Sequence, residues 1–122
     1  MREPARDPGR LEHILMAIAN IEEFTCNIDY NQFVADKKTL FATTYNIQII
    51  GEAAYKLTKE FRAAHDDVDW LLMEKMRHII VHGYYKVNPI IIWNVATDDI
   101  IKVKPQIQRL FDQYNKNGKT NQ

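Results

Sequence analysis

The chain predicts an all-α fold, an antiparallel bundle of about four to six helices, on three observations. Apolar residues recur at spacings of three and four along most of its length. Each such run opens on an Asp, Asn or Pro suited to a helix start. Outside Ile90-Ile91-Ile92 no segment has a strand-like pattern, and there a preceding proline and a following tryptophan favour helix.

Taken in order, Asp7-Pro8 reads as an N-cap followed by a proline at the first helical position, where its missing N–H costs nothing. Leu11, Ile14, Leu15, Ile18, Ile21 and Phe24 then share one face, so the first helix runs to about Asn27. A helical turn over Asn31 to Ala35 leads to Asp36. That residue caps a long helix of about twenty residues or more, roughly 30 Å, with apolar positions Leu40, Ile47, Ile50, Ala54, Leu57 and Phe61. Gly51 in mid-helix costs about 1 kcal/mol relative to alanine, so Gly51-Glu52-Ala53-Ala54 is expected to be a notch for close packing against a neighbour. Ala64 to Asp69 is a polar loop. Asp69 caps the next helix from Trp70, and Gly83 is a natural residue to end it. Asn88-Pro89 starts another helix through Trp93. Pro105 separates or kinks the last one, which carries Ile107, Leu110, Phe111 and Tyr114. Residues 1–122 are expected to form one domain, with 115–122 a flexible tail.

With 122 residues, 46% of them hydrophobic, there is material for one core and not for two. Sixteen Lys and Arg balance sixteen Asp and Glu, which argues against a broad electropositive surface for duplex DNA and leaves nucleic-acid contact to be local. The single cysteine, Cys26, fits a reducing compartment, where a lone thiol is most often a small buried apolar group. No stretch approaches the 18 to 20 or so apolar residues needed to cross a bilayer, and Met1 to Arg10 is charged, without an apolar leader core. A soluble, cytoplasmic protein is the expectation.

Reactive groups gather at Arg77-His78-Ile79-Ile80-Val81-His82-Gly83-Tyr84, an R-x4-H-x-Y pattern at the end of an apolar helical run. Arginine is permanently cationic and planar, histidine exchanges a proton near neutral pH, and the tyrosine hydroxyl can itself be modified; together they suit phosphate chemistry. On that helix Leu72, Met76, Ile79 and Ile80 make one apolar stripe, while Glu74, His78 and His82 line another. Leu71 and Val81 fall outside the main stripe, as if a second copy of the chain covered them.

Plainer roles exist for each. Arg77 can pair with Glu74 three residues earlier. Tyr84 and Tyr85 can plug a helix end, and His82 can sit favourably at a helix C-terminus. Glu52 can solvate the long helix or bridge to a nearby base, while Trp70 and Trp93 are core anchors and His13 and His65 are structural or exposed. Glu74, His78 and His82 also have the i, i+4 spacing of metal ligands, but no fourth ligand is evident nearby, H-E-x-x-H is absent, and no metal or other cofactor is expected.

These residues stand in a wider pattern. It comprises Arg6-Asp7-Pro8 with Leu11-Glu12-His13-Ile14, Ile49-Ile50-Gly51-Glu52-Ala53-Ala54, Trp70 before Met76-Arg77, and His82-Gly83-Tyr84 followed by Val87 and Trp93. Over nearly its whole length the chain resembles the HepT-type toxins of the HEPN superfamily, helical ribonucleases paired with a minimal nucleotidyltransferase antitoxin of the MntA type. It departs from them at His78, where asparagine is frequent, and at Asp67 and Ile101, where proline is usual. The resemblance implies a metal-independent endoribonuclease in which a 2′-hydroxyl attacks the adjacent phosphorus. His82 would act as general base or acid, Arg77 would hold the phosphate, and His78 and Glu52 would support them. It also implies that Tyr84 accepts AMP from the partner enzyme, which would silence the toxin. One motif histidine per chain leaves the acid or the base missing, so a homodimer is expected to complete the site. A different class of function, a non-catalytic nucleotide- or partner-binding subunit of the nucleotidyltransferase, would share the fold and the dimer but cleave no RNA.

Overall fold

The computed structural model describes residues 7–79 and 87–120, with side chains as far as Asn115. Its first helix, α1 (Asp7–Thr25), buries Leu11, Ile14, Ala17, Ile18 and Ile21 along one stripe. It ends where Asn27 turns the chain away with φ of 61°, a left-handed conformation that asparagine tolerates better than most residues. The short α2 (Tyr30–Ala35) is held by a capping box. The Asp29 carboxylate accepts from the Gln32 backbone N–H at 2.8 Å, and the Gln32 side chain accepts from the Asp29 N–H at 2.9 Å.

The long helix α3 (Lys37–Lys56) starts on Asp36, whose carboxylate accepts from the backbone of Lys38 and Thr39 and, at 2.8 Å, from the Thr39 hydroxyl. That hydroxyl bond, with the Thr39 N–H next, holds the Asp36 carboxyl below its ordinary value of 3.8. The helix is shorter than its apolar period implies. Leu57 is extended, and Phe61 belongs to a separate α4 (Lys59–Ala64) capped by the Thr58 hydroxyl. The break is fixed from a distance. Asp7, read from the sequence as a cap for its own helix, turns its carboxylate to Thr58, accepting from its N–H at 3.0 Å and its hydroxyl at 2.8 Å. Asn20 donates to Asn46 at 3.0 Å further along, so α1 lies antiparallel on α3.

A polar turn follows, tied down by Trp70 Nε1 donating to the His65 carbonyl and by an Arg109–Asp67 ion pair at 2.7 Å. Helix α5 (Trp70–Lys75) opens on the Asp69 cap and then tightens into a 3₁₀ turn, Met76–His78. Helix α6 (Pro89–Asn94), capped by Asn88, passes through a π-helical stretch, Val95–Asp99, into α7 (Ile100–Thr120). If these last three segments are counted as one rod, the described residues form six helices. Pro105 neither separates nor ends α7. Val103 and Ile107 on either side of it are fully buried, and their packing carries the helix across the missing bond. The backbone stays helical to Thr120, past Asn115, where the sequence sets a polar tail.

The core draws Ile14, Ile18 and Ile21 from α1, Ile47 and Ile50 from α3, Met73 from α5 and Val103, Ile107 and Leu110 from α7. Both tryptophans anchor it: Trp70 is buried, and the half-buried Trp93 packs on Phe33 with ring centres 5.0 Å apart. Cys26, against expectation, is exposed, since it follows the last buried turn of α1. No helix among the described residues is long and apolar enough to cross a membrane.

Candidate active site

Gly51 faces Arg77. A Cβ built on Gly51 would stand 2.7 Å from the Arg77 Cα and 2.8 Å from its Cβ, and closer still to its backbone nitrogen. The notch predicted in the long helix therefore exists, and what fills it is the backbone of the motif arginine. Only glycine lets the 3₁₀ turn seat this deeply on α3.

Two side chains of α3 flank the guanidinium once it is seated. Its carbon lies 3.8 Å from the centre of the Tyr55 ring, a cation–π contact. Its Nε is 3.5 Å from Glu52 Oε1. The same Nε is buried and makes no hydrogen bond, so the carboxylate attracts the cation without a directional bond. Arg77 keeps about a quarter of its side-chain surface exposed and Glu52 more, 26% and 43%. A half-exposed pair of this kind contributes only about 0 to 1 kcal/mol to stability, so its main effect is to aim the cation. The arrangement leaves the guanidinium stacked on one face and able to take a phosphate.

His78, next along the turn, is exposed, with Nε2 3.5 Å from Arg77 Nη1. Arginine can only donate, so in a bond at this distance the imidazole nitrogen accepts. Of the remaining predicted site residues, His82 and Tyr84 lie in the segment 80–86, outside the described residues, as do Val81 and Gly83. Arg77, Glu52 and His78 are brought together. Glu74 is not among them: it pairs with Arg62 of α4, which removes both the Arg77–Glu74 pair and one member of the Glu74, His78, His82 row. Among the described residues no group of His, Cys, Asp or Glu could hold a metal ion. Tyr55 was not singled out from the sequence. The signal was its place three residues after Glu52 and four after Gly51, on the same face of the helix.

Comparison with known proteins places the chain in a family. The model of the family described as ribonuclease HepT-like matches residues 14–110, a span that contains Gly51, Glu52, Tyr55 and the whole R-x4-H-x-Y segment. A protein of Thermococcus cleftensis named "Probable ribonuclease HepT" is 37% identical over 82% of this chain and 91% of its own length. Proteins named as RNases in Caldanaerobacter subterraneus subsp. tengcongensis and Methanocaldococcus jannaschii are 35% and 33% identical, over 83% and 80% of this chain and 90% of each relative. No solved structure matches the chain. With an all-α fold, a glycine-seated motif arginine and a family match over most of its length, the chain belongs to the ribonuclease HepT-like family of HEPN enzymes.

Proposed function

We propose that the chain is a toxin that cleaves RNA without a metal ion, using Arg77 and His82, and that AMP placed on Tyr84 by an MntA-like nucleotidyltransferase neutralises it. The observation that carries the reading is the seat of Arg77. A cation fixed by Gly51, Tyr55 and Glu52 and still partly open to solvent is pre-oriented for a phosphate, so little ordering entropy remains to be lost on binding.

In the proposed reaction the 2′-oxygen of a ribose attacks the adjacent phosphorus as a base removes its proton. The bond to the 5′-oxygen breaks, that oxygen takes a proton from an acid, and a 2′,3′-cyclic phosphate is left. His82 supplies one of the proton transfers, and Arg77 stabilises the charge on the pentavalent phosphorus. Two transfers and one motif histidine per chain call for a two-fold dimer with both His82 and both Arg77 side chains facing one cleft. His78 and Glu52 then tune the site, Glu52 by holding Arg77 in line. An adenylyl group on Tyr84 would bring a phosphodiester to the same guanidinium and compete with RNA for it.

Purified protein incubated with RNA in EDTA tests the reading. Cleavage that persists in chelator and falls by about two to four orders of magnitude in both His82→Ala and Arg77→Ala supports it. Cleavage that stops in chelator overturns metal independence, and no cleavage at all moves the chain to the binding-subunit class. Incubation with ATP, Mg²⁺ and the partner enzyme should add AMP to wild type and not to Tyr84→Phe. Intact mass that shows modification on Tyr85, or on neither tyrosine, removes that form of control.

A further inference from the structure

We propose that the groove between α1 and α3 beside Arg77 is a nucleotide subsite that holds the RNA strand next to the scissile phosphate. The proposal rests on the ribonuclease reading and adds to it where the rest of the strand lies. The groove has a volume of about 460 Å³ and is lined by Arg10 and His13 from α1 and by Tyr45, Gln48, Glu52 and Lys56 from α3. The α3 residues follow at steps of three, four and four, so they form one stripe along the helix. Because α1 runs antiparallel on α3, Arg10 stands opposite the Lys56 end of that stripe.

Glu52 joins the groove to the catalytic arginine. It lines the groove and is also the carboxylate that faces Arg77, so the two sites share a wall. Tyr45 lies two helical turns from Glu52, roughly 10 Å along the axis, beyond a nucleotide bound at Arg77 and within reach of one that adjoins it.

The chemistry of the lining selects the ligand. Two basic side chains, Arg10 and Lys56, face a groove whose one carboxylate is already turned to Arg77, so the balance of its lining is positive and suits phosphate. The Arg10 Nε is buried and makes no hydrogen bond among the described residues. Tyr45, 64% exposed, offers an open ring on which a base can stack, and Gln48 offers both a donor and an acceptor to a base edge. Cations that track a backbone beside an aromatic platform are what single-stranded nucleic acid needs, and they need no broad basic surface, which this chain with its balanced charge lacks.

Binding of a short 2′-O-methyl oligoribonucleotide to the full chain, followed by fluorescence anisotropy, tests the subsite without cleavage, because the strand has no nucleophile. Tyr45→Ala should weaken binding about tenfold while Tyr45→Phe keeps it, as for a stacking contact. Arg10→Ala and Lys56→Ala should each weaken binding and each flatten the salt dependence by about 0.7 in the log–log slope, one phosphate contact apiece. AMP measured in parallel separates a free nucleotide from a strand. AMP binding that depends on Arg10 and Tyr45, with the oligonucleotide indifferent to both, overturns the proposal. So does unchanged oligonucleotide affinity in all three alanine variants of a chain that still cuts RNA, and so does a variant that shifts oligomeric state in light scattering with unchanged affinity per chain. A chain that cuts no RNA yet loses oligonucleotide affinity on these substitutions keeps the subsite and loses only the ribonuclease reading.

Discussion

Gly51→Ala asks one methyl group to occupy space held by the backbone of Arg77. A backbone cannot rotate aside as a side chain can, so α3 and the Met76–His78 turn must part. The expected outcome is a loss of about 1 to 3 kcal/mol in stability, as for other overpacked sites, and a fall in RNA cleavage close to that of Arg77→Ala. Thermal unfolding and cleavage of the folded fraction, measured on the same sample, separate the two effects. Wild-type activity per folded molecule would show that the seat of Arg77 does not matter to catalysis. A gentler test is Tyr55→Leu, which removes the ring beneath the guanidinium and should lower cleavage about two- to fivefold, the worth of an exposed cation–π contact; Tyr55→Phe should stay near wild type, and equal losses in both would point to the hydroxyl instead. At this scale the sequence showed that Gly51 needed a close neighbour, because glycine in mid-helix is costly on its own. It did not show which neighbour, since Arg77 arrives from 26 residues later and local spacing carries no record of that contact.

Three helix starts were legible, while the start of α4 and the end of α3 were not, for a physical reason. Asp36, Asp69 and Asn88 cap the helices they were expected to cap because capping is settled within three residues. The end of α3 was hidden because Leu57 and Phe61 are four apart and stay in phase with the helix they have left, while the bond that fixes the break joins Thr58 to Asp7, 51 residues away. Charge at the element ends can be tested by pH. Burial first, and Asp98 next to it, raise the Asp99 carboxyl above its ordinary value of 3.8 at the end of the π-helical stretch. A raised folded value means that ionisation is costlier in the native state, so Asp99 destabilises the fold at neutral pH and that penalty disappears as pH falls through the folded value to below the ordinary one. Asp99→Asn should therefore melt at a slightly higher temperature than wild type near neutrality and at the same temperature in acid. Asp36 and Asp67 have the opposite sign, held low by Thr39 and Arg109, so their stabilisation is present above about 3.8 and is lost as pH falls through their lowered values. An advantage of Asp99→Asn over wild type that is larger in acid than at neutrality would contradict this assignment.

At the scale of the whole molecule, ion pairs remote in sequence brace the bundle around the site, Arg62 with Glu74 and Asp67 with Arg109, while Leu71 is left 68% exposed on the helix that delivers Arg77. An apolar side chain that open, in the first turn of α5, is where a second copy of the chain is expected to sit. Light scattering at micromolar concentration should give a homodimer, and Leu71→Asp should weaken it and lower RNA cleavage in parallel while the helical content by circular dichroism is unchanged. A Leu71→Asp chain that remains a fully active dimer would place the interface elsewhere. Mixing carries the idea to the chemistry. On the proposed mechanism, a homodimer of His82→Ala chains would lack both copies of the proton-transfer group, and one of Arg77→Ala chains would lack both phosphate cations. A mixed dimer would keep one histidine and one arginine in the proposed shared cleft. After the two variants are unfolded together and refolded, activity should rise above the sum of the parents and stay below wild type, because one of the two transfers is still without its histidine. Activity no greater than that sum, with mixed dimers confirmed by mass, would mean that each chain works with its own arginine and histidine and that dimerisation serves something other than catalysis.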